Sequence, residues 1–320
     1  MTETGDRGLL LWQFYVALET FHETGRREDF PFDLLRALKD EALPLREKLL
    51  QEANHCPELF RPEVEVRELP RRHHQAIKGY TLWNGHLVSY GDYGWCALVE
   101  DGRVHPIQGM EEHLVSGVGT EHGLYLRTEE GHLYRVREGE THGHLVDGRI
   151  DGILPWKDAI AWRKGRRWDS RDGVVLEDCP DGLRLWTEEA LALLMDEPSE
   201  MPEEAGDVFL DEDKGFFLGK SLWRREGGTW ISIGDSPGRL LDVTAYDGRW
   251  VGLFQKGEVV LLDGYGSWPL GTLPKMRGIV ATEAGILCGG WDGEEIFISV
   301  VPGGDWDLFS RRVREKVLYG

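Results

Sequence analysis

The sequence lacks the short motifs that carry most nucleotide and hydrolytic chemistry. It has no P-loop, no Gly-x-Gly-x-x-Gly segment after a strand, no Gly-x-Ser-x-Gly and no His-Glu-x-x-His. Its cysteines form no Cys-x-x-Cys pair, which excludes the usual metal-cluster and redox motifs. They are Cys56, Cys96, Cys179 and Cys288. The sequence therefore predicts no cofactor, no metal site and no catalytic residue, and it favours a reduced, non-enzymatic protein.

Long apolar runs and an excess of positive charge are also missing. The apolar run LLLWQFYVAL (9–18) is too short to cross a bilayer, and MTETGDRG (1–8) lacks the basic region of a signal peptide. The net charge of −20 argues against nucleic acid as a partner, because phosphate binding requires a basic face. We therefore expect a cytoplasmic protein that contacts no membrane.

Side-chain amides are scarce. The chain has two asparagines, Asn54 and Asn84, beside abundant glutamate and arginine. Depletion of thermolabile amides together with enrichment of charge is typical of heat-adapted proteins. The composition therefore predicts a thermophilic source.

Glycine and tryptophan, in contrast, are abundant, with 41 and 13 residues. From residue 61 onward, Asp-Gly or Asn-Gly dipeptides separate short apolar runs of strand length. Such dipeptides supply the positive-φ residues of tight hairpin turns, so the pattern predicts an all-β structure. One stretch, TEEALALLMDE (187–197), fits either a helix or a buried strand.

The hairpins recur at a nearly regular interval. Their turns begin near Gly85, Gly123, Asp158, Gly182, Gly215, Gly248 and Gly285. Repeats of small antiparallel sheets at this spacing predict a β-propeller with seven blades, or with six if 158–214 forms one large blade. Segments 61–69 and 306–319 are expected to share a blade and close the ring. A β-sandwich or two smaller β domains would give less regular spacing.

Three glycine-rich segments end in tryptophan: GGTW (227–230), GYGSW (264–268) and GGDW (303–306). WRREGGTW (223–230) resembles the Asp-box hairpin of sialidase-like β-propellers, Ser-x-Asp-x-Gly-x-Thr-Trp, with Gly228, Thr229 and Trp230 in the expected places and the aspartate missing. The chain thus resembles propellers with degenerate Asp-box or WD40-like repeats. The resemblance implies a fold and no catalytic role, since the box is a structural hairpin in that family.

The first sixty residues differ from the rest. Apolar residues recur at helical spacing in 8–25 and again in 30–56. These two segments predict a helical hairpin over 1–60, followed by the propeller over 61–320. The apolar faces of the hairpin are expected to dock on the same chain or on another protein.

Candidate binding residues come from the aromatic and basic stretches. Exposed tryptophans can stack on a ligand, and the basic stretch RKGRRWDSR (163–171) offers a cationic surface or a solvated edge. The candidates are Trp83, Trp156, Trp186, Trp291, Arg166 and Arg167.

Other polar residues have simpler interpretations. Asp242, flanked by apolar residues in RLLDVTAY, fits a raised-pKa acid or, better, a hydrogen-bonded core aspartate. THGH (141–144) predicts a polar surface hairpin rather than a metal site. The acidic stretch 196–215 predicts a solvated insertion or a contact for a basic protein surface.

Two functions remain open on this evidence. The first is a non-enzymatic protein-interaction scaffold, which binds another protein through the helical hairpin or the propeller rim. The alternative is a carbohydrate-binding or glycoside-hydrolysing propeller of the sialidase type. Tryptophans at a channel mouth beside converging carboxylates would favour the sugar hypothesis, whereas tryptophans buried between blades would disfavour it.

Overall fold

The computed structural model of the chain describes residues 13–14, 16–17, 20–21, 23–24, 63–72, 74–100, 103–211, 214–246, 248–263 and 266–301. Two compact units divide the chain: Met1–Glu65 with Ser299–Gly320, and Val66–Ile298. In the first unit, the described residues between 13 and 24 are helical, and Thr20 Oγ1 donates to the carbonyl of Val16 (2.8 Å). The second predicted helix, and with it the hairpin over 1–60, lies outside the described residues. The predicted boundary at residue 60 stays a prediction.

The described residues between 63 and 301 form six sheets, five of them built from strands that are consecutive in the sequence, whereas the sixth joins the first strand to the last three. Blade 1 comprises β2 (Ile77–Trp83), β3 (His86–Gly91), β4 (Cys96–Glu100) and β5 (Arg103–Pro106), and blade 2 comprises β6 (Leu114–Thr120), β7 (Gly123–Thr128), β8 (Leu133–Val136) and β9 (His144–Asp147). Blade 3 comprises β10 (Gly152–Trp156), β11 (Ala159–Lys164), β12 (Arg167–Ser170) and β13 (Gly173–Leu176), and blade 4 comprises β14 (Leu183–Leu185), β15 (Gly206–Asp211), β16 (Lys214–Leu218), β17 (Ser221–Glu226) and β18 (Thr229–Asp235). Blade 5 comprises β19 (Leu240–Tyr246), β20 (Arg249–Phe254), β21 (Glu258–Asp263) and β22 (Gly266–Thr272), and blade 6 comprises β23 (Met276–Thr282), β24 (Gly285–Gly290), β25 (Glu295–Val301) and β1 (Glu63–Glu68).

The first strands of the blades form the inner ring of a β-propeller. Strand β2 contacts β6 on one side and β23 on the other, β6 contacts β10, and β19 contacts β23. Blade 6 has the order β1–β25–β24–β23, and the amide of Leu69 donates to the carbonyl of Glu295 (2.9 Å). The predicted role of 61–69 in closing the ring is therefore confirmed. Its neighbour is β25, whereas 306–319 lies outside the described residues.

The predicted number of seven blades is wrong, because the structure has six. The turn at Gly182 opens no hairpin: it leads into β14, which has three residues and pairs with β15 in parallel. The ambiguous stretch that follows is helix α1 (Glu188–Asp196), the one α-helix that the structure shows between 63 and 301. Counting this insertion as a repeat added one blade to the prediction. No helix in the part of the chain that the structure describes is long and apolar enough to cross a bilayer.

Glycines allow the inner strands to approach one another closely. A Cβ at Gly278 of β23 would lie 2.5 Å from the Cα of Gly79 in β2, and a Cβ at Gly119 of β6 would clash with the carbonyl oxygen of Leu82. At these positions any side chain would push neighbouring blades apart. The glycine excess in the sequence therefore serves blade-to-blade contact as well as turns such as Asn84–Gly85, where both residues have positive φ.

Helix α1 packs between blades 3 and 4. Thr187 begins the helix by accepting a hydrogen bond from the amide of Ala190 (3.3 Å), and the same hydroxyl oxygen accepts one from the amide of Leu210 in β15 (3.1 Å). Buried Leu191 and Leu194 join one apolar cluster with residues of both blades. Its members in the two blades include Leu154, Trp156, Ala161 and Trp168 of blade 3 and Val208, Leu210, Phe217 and Trp230 of blade 4.

The substitution Leu191→Ala tests the packing role of α1. Removing a fully buried leucine between two blades is expected to lower the free energy of unfolding by about 3 kcal/mol. Met195→Ala, on the exposed side of the same helix, is the control, with an expected change within about 0.5 kcal/mol. Urea denaturation followed by circular dichroism measures both. Equal losses for the two variants would contradict the packing role.

A second pair of variants tests the close approach of the inner strands. Gly278→Ala is expected to cost about 1–3 kcal/mol, because the new methyl group must displace β2. Gly271→Ala adds the same methyl group where no atom lies within 4 Å, so its stability is expected to stay within about 0.5 kcal/mol of the wild type. Thermal denaturation of both variants is the measurement. A neutral Gly278→Ala would show that blade 6 and blade 1 do not depend on this contact.

Candidate functional site

A groove opens at the outer part of the interface between blades 2 and 3. Closer to the ring, this interface is filled by apolar side chains. They are Val118, Tyr125, Leu133, Ile150, Ile153, Ile160 and, partly buried, Trp162. Further out the two blades diverge and leave a cavity of about 640 Å³ that is open to solvent. We call this cavity, lined by β7, β8, β9 and the residues 137–140 of blade 2 and by β11 and Arg171 of blade 3, the blade 2–3 groove.

Strand periodicity determines which side chains face the groove. Leu133 and Arg135 are two apart in β8, and Ile160 and Trp162 are two apart in β11, so each pair lies on one face of its sheet. The register between β8 and β9 shifts at Leu133, which interrupts the regular pairing of this short outer strand. The two walls of the groove therefore come from consecutive blades with alternating apolar and polar side chains.

The rim of the groove on blade 2 is apolar and exposed. Leu145 and Val146 in β9, the outermost strand of that blade, are 61% and 54% exposed. Leu145 pairs with Tyr134, so its side chain is on the face of blade 2 opposite to Leu133 and Arg135, whereas Val146 lies at the register shift and lines the cavity with the partly buried Trp162. Val146 and Trp162 therefore supply the accessible apolar surface of the groove.

The carboxylates of the groove already have partners. Asp147 accepts a hydrogen bond from Lys164 (2.7 Å), which holds the pKa of that carboxyl below its usual value. Glu140 Oε2 lies 3.4 Å from His144 Nε2 and accepts a hydrogen bond from the amide of Arg137 (3.3 Å). The ion pair with Lys164 therefore neutralises Asp147, and the contacts of Glu140 are to an imidazole and a backbone amide.

Two of the three arginines in the groove have no such partner. Arg135 Nε donates to the carbonyl of His122 (3.0 Å), and its guanidinium lies over the ring of Tyr125, 5.6 Å from the ring centroid. The guanidinium groups of Arg137 and Arg171 make no hydrogen bond or ion pair with any residue that the structure describes. In a chain with a net charge of −20, the groove is thus a local site of unpaired positive charge.

The structure does not bring the six predicted binding residues together. Trp83 and Trp156, each 7% exposed, are buried in the cores between blades 1 and 2 and between blades 3 and 4. Trp186 is partly buried and donates to Asp207 Oδ1 (2.9 Å). Trp291 is 43% exposed, and the guanidinium of Arg277 lies over its ring at 5.0 Å.

Of the two predicted arginines, Arg166 lies on the connection between β11 and β12 and Arg167 is the first residue of β12, and both have acidic neighbours. Arg166 is 3.8 Å from both Asp178 and Asp181, and Arg167 is 3.0 Å from Asp169. The binding roles of all six predicted residues stay predictions. Sequence reasoning missed Arg137, Leu145 and Val146. Nothing in the sequence distinguishes these three residues from other exposed ones. Two other residues of the groove do fall in segments noted in the sequence: Arg171 ends the basic stretch 163–171, and His144 belongs to THGH (141–144).

Asp242 connects blades 5 and 6 near the inner ring. Its Oδ1 accepts from the amide of Val243 and its Oδ2 from the amide of Ile279 in β23, both at 2.9 Å. Burial raises the pKa of this carboxyl to about 7, against the two hydrogen bonds, which lower it. In the neighbouring blade, Arg184 of β14 binds Asp207 and donates to the carbonyl of Leu240 (2.8 Å). These acids therefore hold neighbouring strands together.

Among the described residues, neither metal-ligating side chains nor cysteines form a candidate site. No group of three or more His, Cys, Asp or Glu side chains there is arranged to hold a metal ion. Cys96, Cys179 and Cys288 are buried free thiols, and burial raises the pKa of each.

No protein-family model matches the chain, and no curated protein matches it in sequence. Solved structures similar to it include the WD40 β-propeller domain of Doa1, with 10% sequence identity and a TM-score of 0.52, where the match covers 75% of this chain and 98% of that one. YCF48 from Cyanidioschyzon merolae matches with 9% identity and a TM-score of 0.46, over 73% of this chain and 98% of that one. The likeness to the WD40 domain shows the propeller fold alone.

The substitution Asp242→Asn tests the buried carboxyl. Since the folded state holds the proton more tightly than the unfolded chain, Asp242 stabilises the fold at low pH, and this contribution is lost as the pH rises from 3.8 through about 7. The free energy of unfolding of the variant, relative to wild type, is therefore expected to rise by about 4 kcal/mol between about pH 4 and pH 8, since a shift of one pKa unit corresponds to about 1.4 kcal/mol. The variant also loses one acceptor at every pH, so only the change with pH is informative. A constant difference in urea denaturation would contradict the raised pKa.

Proposed function

We propose that this protein is a non-enzymatic scaffold that binds another protein through the blade 2–3 groove. The observation that carries the proposal is the combination of exposed Val146 and partly buried Trp162 with the unpaired guanidinium groups of Arg137 and Arg171 around one cavity. Isolated exposed apolar residues are ordinary, whereas arginines without partners beside a tryptophan in a cavity favour a protein-binding site, since Arg and Trp are enriched at binding hot spots.

The fold supports this proposal by making the groove rigid. Each wall of the groove is a hydrogen-bonded sheet, and the packed cluster beneath it joins the two walls through Tyr125, Leu133 and Ile160. A preformed surface loses little conformational entropy on binding, so burial of Val146 and Trp162 contributes directly to affinity. A binding surface of similar size made of flexible loops would first have to become ordered, at a cost in conformational entropy.

The sugar-binding hypothesis has less support. Two of the four tryptophans considered as stacking platforms, Trp83 and Trp156, are buried between blades and present no face to a ligand. Asp207 and Asp242 are both engaged by hydrogen-bond donors of neighbouring strands. A partner that binds through the helical hairpin concerns residues outside the described part of the chain.

Site-specific cross-linking tests the proposed function. The full chain carries p-benzoylphenylalanine in place of Val146, at the rim of the groove, and is illuminated in a lysate of the native host. The matched control carries it in place of Ile231, which is 41% exposed in β18 of blade 4. We expect one discrete cross-linked protein with the probe in the groove and none with the control. We also expect Arg137→Glu with Arg171→Glu to reduce its yield at least about fivefold.

Two results would contradict the proposal. One is that both probe positions cross-link the same set of proteins, since this would indicate unspecific contact. The other is that the probe at Val146 yields no protein adduct while the protein remains folded by circular dichroism.

A further inference from the structure

We infer that the ligand of the blade 2–3 groove is an extended acidic peptide, with one or two apolar side chains flanked by aspartate or glutamate. The inference rests on the proposed function and names the ligand of the same groove. It depends on the charge of the groove relative to the charge of the whole chain, and on the apolar character of its floor.

The charge balance of the groove is the reverse of that of the protein. With a net charge of −20, the surface as a whole repels an acidic segment. The groove differs because Arg135, Arg137 and Arg171 line it with two carboxylates, of which Asp147 is neutralised by Lys164, and neither Arg137 nor Arg171 is paired with a carboxylate. A carboxylate from outside is the partner that a guanidinium binds with two parallel hydrogen bonds.

The two unpaired arginines belong to opposite walls. Arg137 follows β8 of blade 2, and Arg171 follows β12 of blade 3, so a ligand that pairs with both must span the groove. A single small anion offers one or two contacts at one wall. A peptide with acidic residues on either side of an apolar residue offers contacts at both.

The apolar floor selects for a side chain between the acids. Leu133, Ile160 and Trp162 line the cavity, and exposed Val146 lies at its rim. Its volume of about 640 Å³ suits a short peptide segment. Transfer of one leucine-sized side chain from water into such a site contributes favourably and would be absent for a purely acidic ligand.

The same features disfavour a basic peptide and nucleic acid. A basic segment would bring its charges to Arg137 and Arg171, and a phosphate backbone would meet the acidic surface that surrounds the groove. The inference therefore commits to an acidic, partly apolar peptide.

The test uses the full chain and labelled peptides of about ten residues. The acidic series has the form GSDExxEDSG, where the two central positions are Leu, Val, Ile, Phe or Trp. Two matched controls keep the length: GSKRLVRKSG reverses the charge, and GSDESSEDSG removes the apolar residues. Fluorescence anisotropy at about 0.15 M salt, where exposed charges are screened, reports the dissociation constants. We expect at least one acidic member to bind about tenfold more tightly than either control peptide.

Variants locate the binding. Arg137→Glu with Arg171→Glu is expected to weaken binding of that acidic peptide at least about tenfold, and to strengthen binding of the charge-reversed peptide. The gain of the second affinity is a result that a misfolded variant would not give. Arg166→Glu with Arg167→Glu makes the same change in net charge outside the groove, where both arginines have acidic neighbours, and is expected to change affinity less than about twofold.

Several outcomes would overturn the inference. One is that no acidic peptide binds. Another is that GSDESSEDSG binds as tightly as the acidic peptides with apolar residues, which would indicate a plain anion site. The third is that the two double variants weaken binding equally. If the cross-link at Val146 is obtained and no acidic peptide binds, the proposed function stands and the ligand chemistry is wrong. If neither is obtained, both fail.

Discussion

The approach of the inner strands through glycine is the constraint on which the rest of the structure depends. Gly278 lies against Gly79, and Gly119 lies against the carbonyl of Leu82, so that neighbouring blades meet backbone to backbone near the axis. Because the sheets start this close together, they must diverge toward the outside. The space between blades is therefore smallest at the ring and largest at the rim, and each interface fills it differently.

Two interfaces show the range of solutions. Between blades 3 and 4 the chain inserts β14 and α1, and the helix supplies Leu191 and Leu194 to the core. Between blades 2 and 3 no element is inserted between β9 and β10, since residues 148–151 alone connect them, and the outer space remains as the groove. The longer connection thus fills the space between blades 3 and 4, whereas the outer space between blades 2 and 3 stays open to solvent.

Sequence reasoning predicted the propeller because turn dipeptides and strand length are local properties. It failed on the number of blades because Gly182 has the appearance of a hairpin turn, and only the tertiary pairing of β14 with β15 shows otherwise. Trp83 and Trp156 appeared as candidate platforms because exposure of an aromatic residue depends on the neighbouring blade. Arg137 and Arg171 were equally hidden, since the lack of a partner is a property of three-dimensional distance.

The two walls of the blade 2–3 groove belong to separate blades. Ligand binding in the groove therefore depends on how the ring of blades deforms. The width of the groove depends on the angle between the sheets of blades 2 and 3. Because the six blades form a closed ring, a change in this angle must be compensated by changes at the other interfaces. Strain introduced at a distant seam, such as the one at Gly278, is therefore distributed around the circle. The affinity of the blade 2–3 groove for its ligand would then depend on the angles between all six blades.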